Sequence, residues 1–142
     1  MAVIRNASAH WEGSLMEGAG AVTFESSELG THDVTWAARS TESSGLTSPE
    51  ELIAAAHSTC YSMALSHGLA EAGTPPESID TSAAVSFQPG TGITGIALSV
   101  TGKVPGITAA QFEEAAQAAK EGCPVSQALK AVPITLEVNF TE

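Results

Sequence analysis

The segment SPEELIAAAHSTCYSMAL, residues 48–65, decides how this chain is read. Ser48 can cap a helix, Pro49 suits the first helical position, and Glu51 stands three residues after Ser48 in the pattern of a capping box. Glu50 and Glu51 also complement the positive end of the helix dipole. Leu52, Ile53, Ala56, Cys60, Met63 and Ala64 then recur at helical spacing. The pattern runs to about Ala72, where Gly73 and Pro75-Pro76 stop it. A helix of this length spans roughly 36 Å at about 1.5 Å per residue. No Asp, Glu, Lys or Arg lies between Glu51 and Glu71, so a central and largely buried helix is expected. It carries Cys60, one of only two cysteines in the chain.

Outward from this helix the pattern changes. Residues 8–40 read as β structure: Ala9–Gly13, Ala21–Glu25 and His32–Arg39 alternate and are punctuated by glycine. A polar loop, residues 40–47, leads into the helix. After it come two strands, Ser82–Gln88 and Thr94–Lys103, joined as a hairpin through Pro89-Gly90-Thr91-Gly92. Thr108 starts a second helix with Gln111 placed for a capping box, and Gly122 stops it. Cys123-Pro124 opens a short helical turn to about Leu129, and Ile134–Phe140 alternates as a last strand. The order predicts an α+β fold: antiparallel sheets packed with a long central helix and a second helix, in one domain over residues 1–142.

Composition excludes several functions. The net charge of −11 rests on five basic residues, Arg5, Arg39, Lys103, Lys120 and Lys130. They do not cluster, so no nucleic-acid or anionic-membrane partner is expected. No segment approaches the roughly 20 apolar residues of a membrane span. The polar amino terminus lacks an apolar run of signal-peptide length, which places the expectation in the cytoplasm. Stable structural disulfides are rare there, and cysteine pairs more often serve redox or metal chemistry. No pair of motifs supplies four zinc ligands, so neither a metal nor another cofactor is expected.

A thiol attacks a peroxide or a disulfide as its thiolate. Cys60 lies too far into its helix to use the helix N-terminus and needs a cation brought to it. Arg39, just upstream of the helix, is the first choice and Arg5 the second; Glu50 can orient a guanidinium through a bidentate contact. Glu50 and Cys60 stand about 15 Å apart along one helix axis. Two copies crossing antiparallel near residue 55, where Ala54-Ala55-Ala56 permits close approach, bring Glu50 of one chain to Cys60 of the other. A composite site in a homodimer is therefore expected. Cys123 is a candidate resolving thiol, able to condense with a sulfenic acid on Cys60. Each residue also has a plainer role. Cys60 would pack as a small hydrophobe, Glu50 would satisfy the helix dipole, and Arg39 would be a surface charge. His57 and His67 read as helix packing residues, and His10 and His32 receive no role.

These residues resemble the OsmC/Ohr family of organic-hydroperoxide peroxidases. Residues 48–65 resemble the family's first-cysteine helix, with the glutamate ten positions before the cysteine, and GCPVSQAL (122–129) its second-cysteine motif. AHWEG (9–13) and the position of Arg39 resemble the OsmC branch. The resemblance implies an intertwined homodimer, Cys60 as peroxidatic thiol, Cys123 as resolving thiol through a Cys60–Cys123 disulfide, and Arg39 with Glu50 as the activating pair. It also implies an organic hydroperoxide substrate and a dithiol reductant, with lipoyl-type dithiols favoured in the related branch. A thioredoxin-fold peroxiredoxin fits less well: its P-x-x-x-T-x-x-C spacing is not met by Thr59, adjacent to Cys60. A non-catalytic redox sensor or binding module, switched by the same disulfide, is the rival of different class.

Overall fold

The computed structural model describes all residues, Met1–Glu142. The chain divides into two compact units, Met1–Leu52 and Ile53–Glu142.

In the first unit β1 (Ala7–Glu12), β2 (Ala19–Phe24) and β3 (Gly30–Val34) form an antiparallel sheet in the order β1-β2-β3. Val22 faces Ala9 on one side and His32 on the other, which fixes the register. The Phe24 and His32 rings meet edge to face with centroids 5.7 Å apart. The third strand ends earlier than its alternation predicts. Residues 32–39 read as one strand, but β3 stops at Val34 and a short helix α1 (Trp36–Ser40) follows. Thr35 is the cause. Its Oγ1 accepts from the Ala38 backbone N–H at 3.1 Å, an N-cap that turns the chain and places Arg39 on a helix rather than a strand.

α2 (Pro49–Glu71) begins in the first unit and runs through into the second. Its expected capping box is half formed. Ser48 Oγ accepts from the Glu51 N–H at 3.2 Å, while the Glu51 carboxylate accepts from Thr47 Oγ1 at 2.6 Å instead of reaching back to Ser48. Beyond Leu52 the helix buries one stripe, His57, Tyr61, Leu65 and Leu69, at four-residue spacing. Ala55, Ala56, Thr59, Met63 and His67 on other faces are exposed. Within a single protomer the helix is therefore half-buried rather than largely buried, and His67 is not a packing residue.

In the second unit β4 (Ser78–Gln88) and β5 (Gly92–Lys103) form the expected hairpin. Gly90 and Gly92 take positive φ angles of 85° and 111° in its turn. β6 (Ile134–Thr141) lies beside β5 in parallel, giving the order β4-β5-β6. An all-antiparallel arrangement is thus corrected to a mixed sheet. Alternation sets which face of a strand is buried but not its direction. The helices α3 (Ala109–Gly122) and α4 (Pro124–Ala128) supply the crossover that a parallel return requires.

α3 has its full capping box: Gln111 N–H donates to Thr108 Oγ1 at 3.2 Å, and Thr108 N–H to Gln111 Oε1 at 2.8 Å. The core joins Tyr61, Leu65 and Leu69 of α2 to Ile96, Leu98 and Val100 of β5 and to Phe112, Ala116 and Ala119 of α3. The buried Tyr61 hydroxyl donates to the Ala116 carbonyl at 2.9 Å. Gly102 on β5 leaves room for the Phe112 ring, which a Cβ there would overlap. The fold is α+β, and Cys123 is fully buried at the joint between α3 and α4.

Candidate active site

The first unit gathers Arg39 and Glu50. α1 presents the arginine and the first turn of α2 presents the glutamate. Arg39 Nε donates to Glu50 Oε1 at 3.0 Å and to Oε2 at 3.2 Å, and Nη2 donates to Oε1 at 2.9 Å. This fork holds the guanidinium plane in one orientation. The Glu50 side chain is only 9% exposed and that of Arg39 is 32% exposed. The carboxylate is therefore an internal anchor and the arginine keeps an accessible face.

The second unit gathers the cysteines. Both are free thiols, Cys60 partly buried on α2 and Cys123 buried where α4 begins. The thiols are neighbours, each among the groups that shift the other. Burial pushes the Cys60 thiol up, the Val125 backbone opposes that rise, and the nearby Cys123 sulfur adds to it. Cys123 is driven the other way. Burial would raise it, but the Ser126 backbone N–H, the Cys60 thiol, the Ser126 hydroxyl and the Val125 N–H outweigh burial and hold it below its ordinary value. Cys123 is the N-cap of α4 with Pro124 next, so those N–H groups have no helical partners of their own.

Two further side chains belong to this neighbourhood. His57 is buried, and its Nε2 lies 2.7 Å from the hydroxyl of buried Ser126. Burial lowers the pKa of His57, leaving the ring neutral at pH 7. The sequence shows His57 as a packing residue and gives Ser126 no role. The only available signal was positional: Ser126 is the third residue of the turn that Cys123 opens. No group of three or more His, Cys, Asp or Glu side chains is gathered that could hold a metal ion.

The sequence as a whole matches a known family. The profile for OsmC-like protein matches residues 41–137. The chain belongs to the OsmC family. It is 49% identical over 143 residues to Peroxiredoxin OsmC of Escherichia coli (strain K12), covering 99% of each chain, and equally so to that of Shigella flexneri. The fold is shared more widely. The OsmC like protein of Mycoplasma pneumoniae superposes with a TM-score of 0.75 at 12% identity, covering 100% of both chains. OhrB, the organic hydroperoxide resistance protein of Bacillus subtilis, superposes with a TM-score of 0.65 at 20% identity, covering 96% of this chain and 98% of its own.

Proposed function

We propose that this OsmC family member is a cysteine-based peroxidase that reduces organic hydroperoxides to alcohols. The observation that carries the reading is the pair of free, adjacent thiols, Cys60 and Cys123, in a chain 49% identical end to end to a protein named a peroxiredoxin. The Cys60 thiolate attacks the distal peroxide oxygen, the O–O bond breaks, and the alkoxide leaves and takes up a proton. Cys60 becomes a sulfenic acid. Cys123 attacks that sulfur, expels hydroxide and closes a disulfide, which protects Cys60 from further oxidation. An external dithiol, of lipoyl type by family resemblance, reopens the disulfide by exchange.

Cys60 needs a cation to hold its thiolate. In this reading the cation comes from a second copy. Two α2 helices cross antiparallel near residue 55, over exposed Ala55, Ala56 and Thr59. Glu50 with its bound Arg39 then meets Cys60 of the partner subunit. Arg39 and Glu50 come from the same protomer, because the fork between them is already closed there. Arg39 stabilises the thiolate and then the charge developing on the peroxide oxygens. The reaction site is a helix–helix interface, which favours alkyl or lipid hydroperoxides over hydrogen peroxide. No helix is long and apolar enough to cross a membrane, and the protein acts in the cytoplasm.

The test is a steady-state assay with cumene hydroperoxide and hydrogen peroxide, using dihydrolipoamide or thioredoxin as reductant. Many equivalents of cumene hydroperoxide consumed per chain, with hydrogen peroxide the poorer substrate, are expected. Consumption that stops near one equivalent with every dithiol identifies a redox switch and rejects the peroxidase.

A further inference from the structure

The chemistry above makes no use of the buried pair His57 and Ser126. His57 is fully buried on α2, its Nε2 is 2.7 Å from Ser126 Oγ on α4, and its Nδ1 has no hydrogen-bond partner. A neutral imidazole carries one ring proton. On Nδ1 that proton would be a buried donor with no acceptor, the rarer and costlier kind of orphan. On Nε2 it donates to Ser126 and leaves only an idle lone pair at Nδ1. The Nε2–H tautomer is the better satisfied one. With His57 as donor, the single proton of the Ser126 hydroxyl is free to point elsewhere. Ser126 is the third residue of α4 and Cys123 is its cap. Its hydroxyl is among the groups that hold the Cys123 thiol below its ordinary value.

We infer that His57 and Ser126 form a two-link donor chain, His57 Nε2–H to Ser126 Oγ–H to Cys123 Sγ, that positions Cys123 and stabilises it as the thiolate that closes the disulfide. The inference deepens the peroxidase reading and rests on it. In the step served, the Cys123 thiolate attacks the sulfenic sulfur of Cys60 as the S–O bond breaks. The departing hydroxide takes the proton that Cys123 released and leaves as water. Cys123 is oxidised and the sulfenic sulfur reduced to the disulfide level, so no outside oxidant or reductant is needed. His57 and Ser126 are positioning residues that touch neither peroxide nor reductant. The titratable groups around Cys123 are Cys60 and Tyr61 of α2, while Lys120, Glu121 and Lys130 line the recess beside Ser126.

Rapid mixing of the reduced full-length protein with one equivalent of cumene hydroperoxide separates sulfenic acid formation from disulfide closure. Ser126→Ala is expected to slow closure about tenfold relative to the first step and to displace the pH profile of closure upward, with Ser126→Thr restoring both. His57→Phe should give the same displacement with Ser126 intact. Closure in Ser126→Ala at the wild-type rate and with the wild-type profile overturns the inference. Nitrogen NMR of wild-type His57 is a check that needs no variant: a proton on Nε2 is expected, and one on Nδ1 overturns the donor order. Wild-type protein that forms no sulfenic acid or disulfide at all rejects the peroxidase reading instead, and the inference with it.

Discussion

Arg39–Glu50 and Cys60–Cys123 are opposite kinds of pair. The first is ionic and complete: three hydrogen bonds of 2.9–3.2 Å lock a guanidinium to a carboxylate that solvent barely reaches. The second is reduced and still open: two free thiols lie side by side, and burial raises the first. The contrast teaches that the fixed charge and the free sulfurs are held by different elements, α1 with the start of α2 for the one and the middle of α2 with the start of α4 for the other. Held in a fork, Arg39 cannot swing freely toward a new target. In the proposed reading, a fixed cation of this kind serves a thiolate delivered to it.

The comparison breaks most severely at the nucleophile. Cys60→Ser is expected to lower hydroperoxide turnover by at least about a thousandfold, read in the dithiol-coupled assay. Retained turnover would move the chemistry to Cys123. Next comes the cation. Arg39→Ala should lower kcat/KM for cumene hydroperoxide about a hundredfold and raise the pKa of Cys60 in the assembled protein, followed by the pH dependence of alkylation. An unchanged titration curve would detach the ionic pair from the thiol. Cys123→Ser sharpens the division of labour within the second pair. It should leave the first turnover intact and make Cys60 accumulate sulfinic acid, visible by mass spectrometry.

Much of this was legible before the fold was known, because the deciding signals are local. Ser48-Pro49 and Thr108 with Gln111 announce helix starts, and Gly90 and Gly92 announce a hairpin. What escaped was set by contacts distant in sequence or by a single side chain. Thr35 reads as one more β-branched residue of a strand until its hydroxyl caps α1. Ile134–Thr141 alternates identically whether it runs with or against β5. The link between His57 and Ser126 spans 69 positions, beyond the reach of any periodicity.

Two smaller effects test the framework that holds the thiols. Gly102→Ala forces a Cβ into the Phe112 ring and should destabilise the protein by about 1–3 kcal/mol in urea unfolding. His57 contributes a pH dependence of stability. Its folded pKa lies below the ordinary 6.5, so below that pH the unfolded chain takes up a proton that the native ring refuses. The stabilisation is complete above about pH 7 and declines as pH falls, with a slope of at most about 1.4 kcal/mol per pH unit. Denaturant midpoints between pH 5.5 and 7.5 should show this slope in wild type and lose it in His57→Phe.

The central claim, that Arg39 of one chain activates Cys60 of another, is tested most directly by combining two crippled proteins. Cys60→Ser and Arg39→Ala chains, unfolded together and refolded at equal concentration, form mixed dimers in which one site regains both an intact Cys60 and an intact Arg39. Random pairing makes half the dimers mixed, with one of two sites restored, so recovery of about a quarter of wild-type activity is expected. A refolded mixture no more active than the average of its two parents would contradict the account.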